Sequence, residues 1–258
     1  SLPLPSFYKG QFRIACLSLL LAIGTTILGL FIKIASATGL SLSESFDPGA
    51  VINLLTGTRF GVVWLFRMVL ALLLAAMMSA EFFGWLKSDS VWLRLGNFIL
   101  SAILLMAMAA AGHASAAEGV TLFIQLAVDG LHLLAAGVWL GGLIPLAMLL
   151  SWAGSTPEPS ALLIAKEATA RFSRVGFVSV VTLLMTGLFN AWYLVGEIPR
   201  LLGTDYGYLL LVKLAILVPL IGLASRNRWR LKPRLDALTS HNDFEKIPPL
   251  LAQIRRGV

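Results

Sequence analysis

Six runs of mostly apolar residues, each long enough at about 20 residues to cross a bilayer as a helix, decide what this chain can become. They occupy 12–34, 60–83, 95–113, 121–152, 175–196 and 206–225. A helix satisfies its own backbone in lipid, whereas an open strand does not, so all six are expected to be α-helical. Composition agrees, with 58% hydrophobic and 13% charged residues, against about 25% charged residues in soluble domains. The surplus apolar surface needs lipid to face. The expected fold is an all-α, polytopic transmembrane helical bundle. Residues 1–225 form its membrane domain and 226–258 a basic cytoplasmic tail. The 153–170 stretch, with Pro157, Pro159 and Ser160, reads as a cytoplasmic linker.

The net charge of +7 would suit nucleic acid, but its distribution excludes that partner. Lys9, Arg13, Lys87, Arg94, Lys166, Arg171, Arg174 and the basic tail after Ser225 fall in alternate connections. The other connections hold Lys33, Arg59 and Arg200 against Glu44, Asp47, Glu118, Glu197 and Asp205. Basic loops stay inside, so both ends of the chain are expected in the cytoplasm. The outward segments 35–59, 114–120 and 197–205 are then acidic, which suits a cation arriving from outside. One cysteine, Cys16, excludes disulfide scaffolds and cysteine-based zinc sites. It reads as a small buried residue rather than a metal exit ligand. No basic stretch precedes a cleavage site after Ser1, so no signal peptide is expected.

Polar side chains inside these runs are costly and therefore informative. Two of the three histidines, His113 and His132, lie in adjacent runs; the third, His241, is in the tail. At about 1.5 Å per helical residue, Arg67, Asp129, Asn190 and Lys213 fall in the outer half of the membrane. His132 falls near its middle, and His113 at or just under the outer surface. Asp129 and His132 are three apart and share a helix face. Asp129 either orients the imidazole or is itself a ligand. The plainer alternative is that Arg67, Lys213 and Asp129 pin helices together by charge. Met106, seven residues below His113 on the same face, adds a thioether at about the depth of His132. Thioether and imidazole suit Cu(I), while carboxylates suit harder ions. Methionine is also ordinary membrane-helix filler. Glu118 is either part of an outer station with His113 or a solvated loop charge. The difference in depth between the histidines fits two successive stations as well as one shared ion. Gly137 and Gly141 form a small-xxx-small pair expected to let helices approach closely. Gly187 and Asn190 suggest a second close crossing, and Pro145 a kink.

Gly112-His113-Ala114, Glu118-Gly119-Val120, and Leu131-His132-Leu133 through Trp139, Gly141, Gly142, Leu143 and Pro145 resemble the core of the copper resistance protein D (CopD, PcoD, YebZ-like) family. Thr58-Arg59-Phe60-Gly61 with Trp64, Arg171-Phe172-Ser173, Leu209-Leu210-Leu211-Val212-Lys213 and Asn227-Arg228 add to the likeness. The resemblance implies a bacterial inner-membrane protein that moves copper from periplasm to cytoplasm, with a periplasmic CopC-like carrier as partner. It implies His113 and His132 as copper residues. Members commonly have about eight spans, which implies a helix before residue 1 and another after residue 258. In this reading 226–258 links to that last helix.

Two other classes are weighed. A membrane haem b protein of the oxidoreductase type would use His113 and His132 as axial ligands, which requires both at one depth. A sensor or scaffold that transports nothing would act through the basic tail. A hydrolytic enzyme is not expected, since no nucleophile–base pair is legible, and no phosphate-binding loop points to ATP.

Overall fold

The computed structural model describes residues 5–39, 41–86, 90–110, 119–156, 158–195, 202–241 and 243–257. Among the described residues the chain is helical and has no strand. In order the helices are α1 (Pro5–Thr38), α2 (Pro48–Gly57), α3 (Arg59–Phe82), α4 (Val91–Ala109), α5 (Gly119–Ser155), α6 (Pro159–Val195), α7 (Asp205–Arg226), α8 (Lys232–Ser240) and α9 (Ile247–Arg255). Six helical stretches among the described residues are long and apolar enough to cross a membrane. They are Tyr8–Thr38, Arg59–Phe82, Val91–Ala109, Val120–Ser155, Pro159–Tyr193 and Gly207–Ser240. Each overlaps one of the six apolar runs. On α1, Leu17, Leu20 and Leu21 are more than half exposed, as side chains that face lipid rather than a core are.

The chain forms two compact units, one of Lys9–Leu133 and one built on Leu134–Val258. In the first, local caps start the helices. The Asp47 carboxylate accepts the Ala50 N–H at 2.8 Å ahead of α2, and Thr58 Oγ1 accepts the Gly61 N–H at 3.0 Å ahead of α3. Each cap satisfies an amide that the helix itself leaves open. Gly61 is forced by packing, because a Cβ there would run into the backbone carbonyls of Leu54 and Leu55. Trp64 Nε1 donates to the Thr26 carbonyl at 2.7 Å and ties α3 to α1. Near the other end of these helices Phe12 and Phe82 stack with ring centroids 5.6 Å apart.

In the second unit the 153–170 and 226–258 stretches carry helices. The 153–170 stretch is helical on both sides of Thr156–Glu158, and α6 begins at Pro159. Proline at the first helical position loses nothing, since the amide it lacks would be unpaired there anyway. A short π-helical segment, Asn227–Leu231, leads into α8, and α9 follows. Pro248 and Pro249 open α9 instead of breaking it. Ile247, Leu250, Leu251 and Ile254 are buried at helical spacing. They pack with Leu231 and Leu235 against Leu150, Ala153, Ala161, Leu162 and Ala165 of α5 and α6. Polar ties close this layer: Lys166 Nζ donates to Thr239 Oγ1 at 2.6 Å and Arg255 to Ser151 Oγ at 2.8 Å. The close approach expected of Gly141 belongs to its neighbour. Gly141 has open space where a Cβ would stand, while a Cβ on Gly142 would come within 2.5 Å of the Phe172 ring.

Candidate metal centre

The first half of α5 carries Gln125, Asp129 and His132. At spacings of four and three they share one stripe of the helix. Gln125 is buried and the other two are half-buried. Between Asp129 and His132 lies Gly130, itself buried. A Cβ at Gly130 would stand 3.2 Å from Met106 Cε and 3.6 Å from Met106 Cγ. The sulfur is bonded to both of those carbons, so the Met106 thioether lies in this contact. A glycine lets α4 lay its methionine on α5, on a face about 100° round the helix from Asp129 and about 160° from His132. The structure thus brings Met106 to the same turn of α5 as Asp129 and His132, on a different face. Asp129 and His132 offer a carboxylate and an imidazole on one stripe of α5, donors that suit copper ions. No group of three or more His, Cys, Asp or Glu side chains gathers as a metal cage among the described residues. His113 and Glu118 lie outside the described residues.

Arg67, on α3, is turned to a different partner. Its Nη2 donates to Thr26 Oγ1 at 3.1 Å, and its Nε is buried without a hydrogen-bond partner. Among the described residues Arg67 makes no salt bridge. Its visible function is to join α3 to α1 beside the Trp64–Thr26 bond. Asn190, half-buried on α6, and Lys213, exposed on α7, belong to the second unit.

Outside the spans, the connection between α1 and α2 holds a built acidic turn. Ser41 donates to Glu44 Oε2 through its hydroxyl at 2.6 Å and its amide at 3.0 Å. These two bonds hold the Glu44 carboxyl below its ordinary range. The sequence reading passed over Gln125 and Thr26. Both carry the signal used for Asp129, a polar side chain inside an apolar run, but an uncharged group stands out less from such a run than a charge does.

Two family models match the chain. One, described as Copper resistance protein D-like, N-terminal domain, matches residues 6–123. The other, Copper resistance protein D, matches residues 166–252. His113 and Glu118 fall inside the first match, whereas Asp129 and His132 lie between the two. Among curated relatives, inner membrane protein YebZ of Escherichia coli (strain K12) is 31% identical over 199 residues, 76% of this chain and 63% of that protein. Copper resistance protein D of Pseudomonas syringae pv. tomato is 29% identical over 75% of this chain and 61% of its own length. Copper transport protein CutJ of Bacillus subtilis (strain 168) is 31% identical over 77% of this chain and 36% of its own. The chain therefore spans about three-fifths or less of the curated relatives it matches. No solved structure matches it.

Proposed function

The chain belongs to the copper resistance protein D family, and from that premise we propose that it binds copper within the membrane and passes it inward from the periplasmic side. Copper is the cargo, and the protein is a carrier rather than an enzyme. It is a multi-pass protein of the inner membrane, like its YebZ relative. Its connections alternate in charge, which places both ends of this chain in the cytoplasm by the positive-inside rule.

The observation that supports the reading is the Asp129–His132 pair on one stripe of α5, with the Met106 thioether packed on Gly130 of the same turn. Met106, Asp129 and His132 form the deeper station. His113 and Glu118, ahead of α5 in the chain, form the outer one, to which a periplasmic CopC-like carrier delivers the ion. The acidic connection with Glu44 and Asp47 draws cations toward the outer face. Asp129 also offsets the charge of a bound ion in a medium where an unpaired charge is costly. A CopD-type carrier needs a site that releases as well as binds, and ligands of mixed softness favour neither oxidation state outright.

The test is metal content and optical spectrum of the purified protein, wild type beside His132→Ala and Met106→Leu. Stoichiometric copper, lost in the first variant and weakened in the second, is the expected result. Unchanged copper in His132→Ala would overturn the deeper station. A Soret band lost with His132 would move the protein to the haem class.

A further inference from the structure

Independently of the copper reading, a cavity of about 350 Å³ lies in the second unit, between α5, α6, α7 and the segments after α7. That is the size of a small-molecule pocket rather than an ion site. Its floor is Trp139 and Phe172, and Val180 and Leu220 stand in its walls. No histidine, cysteine, methionine or carboxylate lines it, so it offers copper nothing. Thr169 and Ser173 of α6 also line it, and its charged residues Arg228, Lys232 and Arg256 lie after α7 and form a basic rim. Lys232 is tied to Asp236 at 3.0 Å. Arg228 donates to the Ser173 carbonyl at 2.7 Å and to Ser173 Oγ at 3.0 Å, with its guanidinium 4.7 Å above the Phe177 ring. Those contacts fix Arg228 in place but leave its charge uncompensated, since no carboxylate pairs with it or with Arg256 among the described residues. Trp229, beside the rim and two-thirds exposed, is the side chain that settles at a membrane–water interface. An apolar well with a cationic mouth at headgroup level has the chemistry of one ligand class.

We propose that this cavity holds an anionic phospholipid. One acyl chain lies on Trp139 and Phe172 between α6 and α7, and the phosphate sits against Arg228 and Arg256. Charge complementarity selects the anionic lipid: a cation is repelled at the rim, and a zwitterionic lipid brings its own positive group to the same place. The position fits basic pockets between membrane helices that take acidic headgroups. A bound lipid would brace the π-helical segment on which Arg228 stands, and with it the packing of α8 and α9.

The test uses the chain in nanodiscs of equal parts phosphatidylcholine and phosphatidylglycerol, followed by detergent extraction and mass spectrometry of the retained lipid. Phosphatidylglycerol is expected to be retained over phosphatidylcholine. The preference should fall about fivefold in Arg256→Gln, where one exposed charge near the surface is lost, and further in Arg228→Gln. Val180→Trp, which fills the well and leaves the rim intact, should abolish retention of either lipid. Among the described residues Arg256 makes no side-chain hydrogen bond or ion pair, so its variant keeps the test decisive if Arg228→Gln does not fold. Equal retention of both lipids, or a preference that survives Val180→Trp, overturns the proposal. A dimer that Val180→Trp dissociates would instead assign the cavity to a second copy of the chain.

Discussion

Adding one methyl group at Gly130 should separate copper binding from folding. In Gly130→Ala the new Cβ would stand 3.2 Å from Met106 Cε, tighter than ordinary contact, so the methionine must retreat by a few tenths of an ångström. Methionine is flexible and yields readily. Replacing glycine by alanine inside a helix also returns about 1 kcal/mol of propensity. Together these leave stability within about 1 kcal/mol of wild type. Copper binding should respond differently, because the thioether assigned to the proposed deeper station is displaced from this turn of α5. Disturbing the support of a metal site costs roughly tenfold to a hundredfold in affinity, and at the low end that is ~1.4 kcal/mol. The assay is Cu(I) competition against a chromophoric chelator under reducing conditions, on wild type, Gly130→Ala, Met106→Leu and the double variant. Each single variant is expected to lose about tenfold. The double variant should lose no more than Met106→Leu alone, because both changes remove the same sulfur. Equal losses for Gly130→Ala with and without Met106 would refute the reasoning, since the glycine would then act on α5 itself.

Other outcomes follow from the packing and the polar ties. Gly142→Ala should lower the melting temperature in detergent by an overpacking cost of about 1–3 kcal/mol, because the Phe172 ring must leave its place. Leu251→Ala, in a fully buried position of α9, should cost about 2–5 kcal/mol, whereas a loose tail would show no change. Thr26→Val should destabilise by about 1.5–3 kcal/mol, the worth of a hydrogen bond to a charged group. Arg67→Met, which removes the charge along with its need for a partner, should cost less in the same melt. The Glu44 carboxyl has its folded pKa below its ordinary value. Its support of the Ser41 turn is therefore complete above the ordinary carboxylate range and is lost only as pH falls through the lowered value. Hydrogen exchange at the Ser41 amide should stay slow through the ordinary range and rise below it.

The six spans were legible because lipid leaves a chain few choices: length and hydropathy alone select helices there. The ends of the spans were less so. Pro159, Pro248 and Pro249 are breakers by composition but starters by position, and position depends on where the preceding helix stops. The 226–258 segment was legible as basic but not as folded. Its buried residues Ile247, Leu250, Leu251 and Ile254 follow a helical stripe only if α9 starts at Ile247, and the adjacent prolines hid that start. Gly141 and Gly142 show a finer limit. Spacing can point to a small-residue face, but which of two neighbouring glycines meets Phe172 depends on the rotation of α5, which tertiary packing sets.

The site divides along the same line. Asp129 and His132 were legible because three residues on one helix fix a shared face. Met106 was legible by chemistry, and its partner Gly130 was not, because a glycine says nothing of what lies against it. Arg67 was conspicuous as a charge in an apolar run, and sequence alone left it free to answer Asp129. Thr26 on α1 takes that bond instead, a pairing across 41 residues that no periodicity encodes. The polar side chains of these helices therefore serve two ends. Arg67 with Thr26 spends its hydrogen bond on holding α3 to α1. Asp129 and His132 share one stripe of α5, and α4 packs Met106 on another face of the same turn. A buried charge that serves only as a pin can be exchanged for an apolar residue at little cost, but a thioether, an imidazole and a carboxylate along one turn and its neighbour have no such substitute. That asymmetry, rather than the presence of polar groups in the membrane, is the ground on which copper is proposed for this turn of α5.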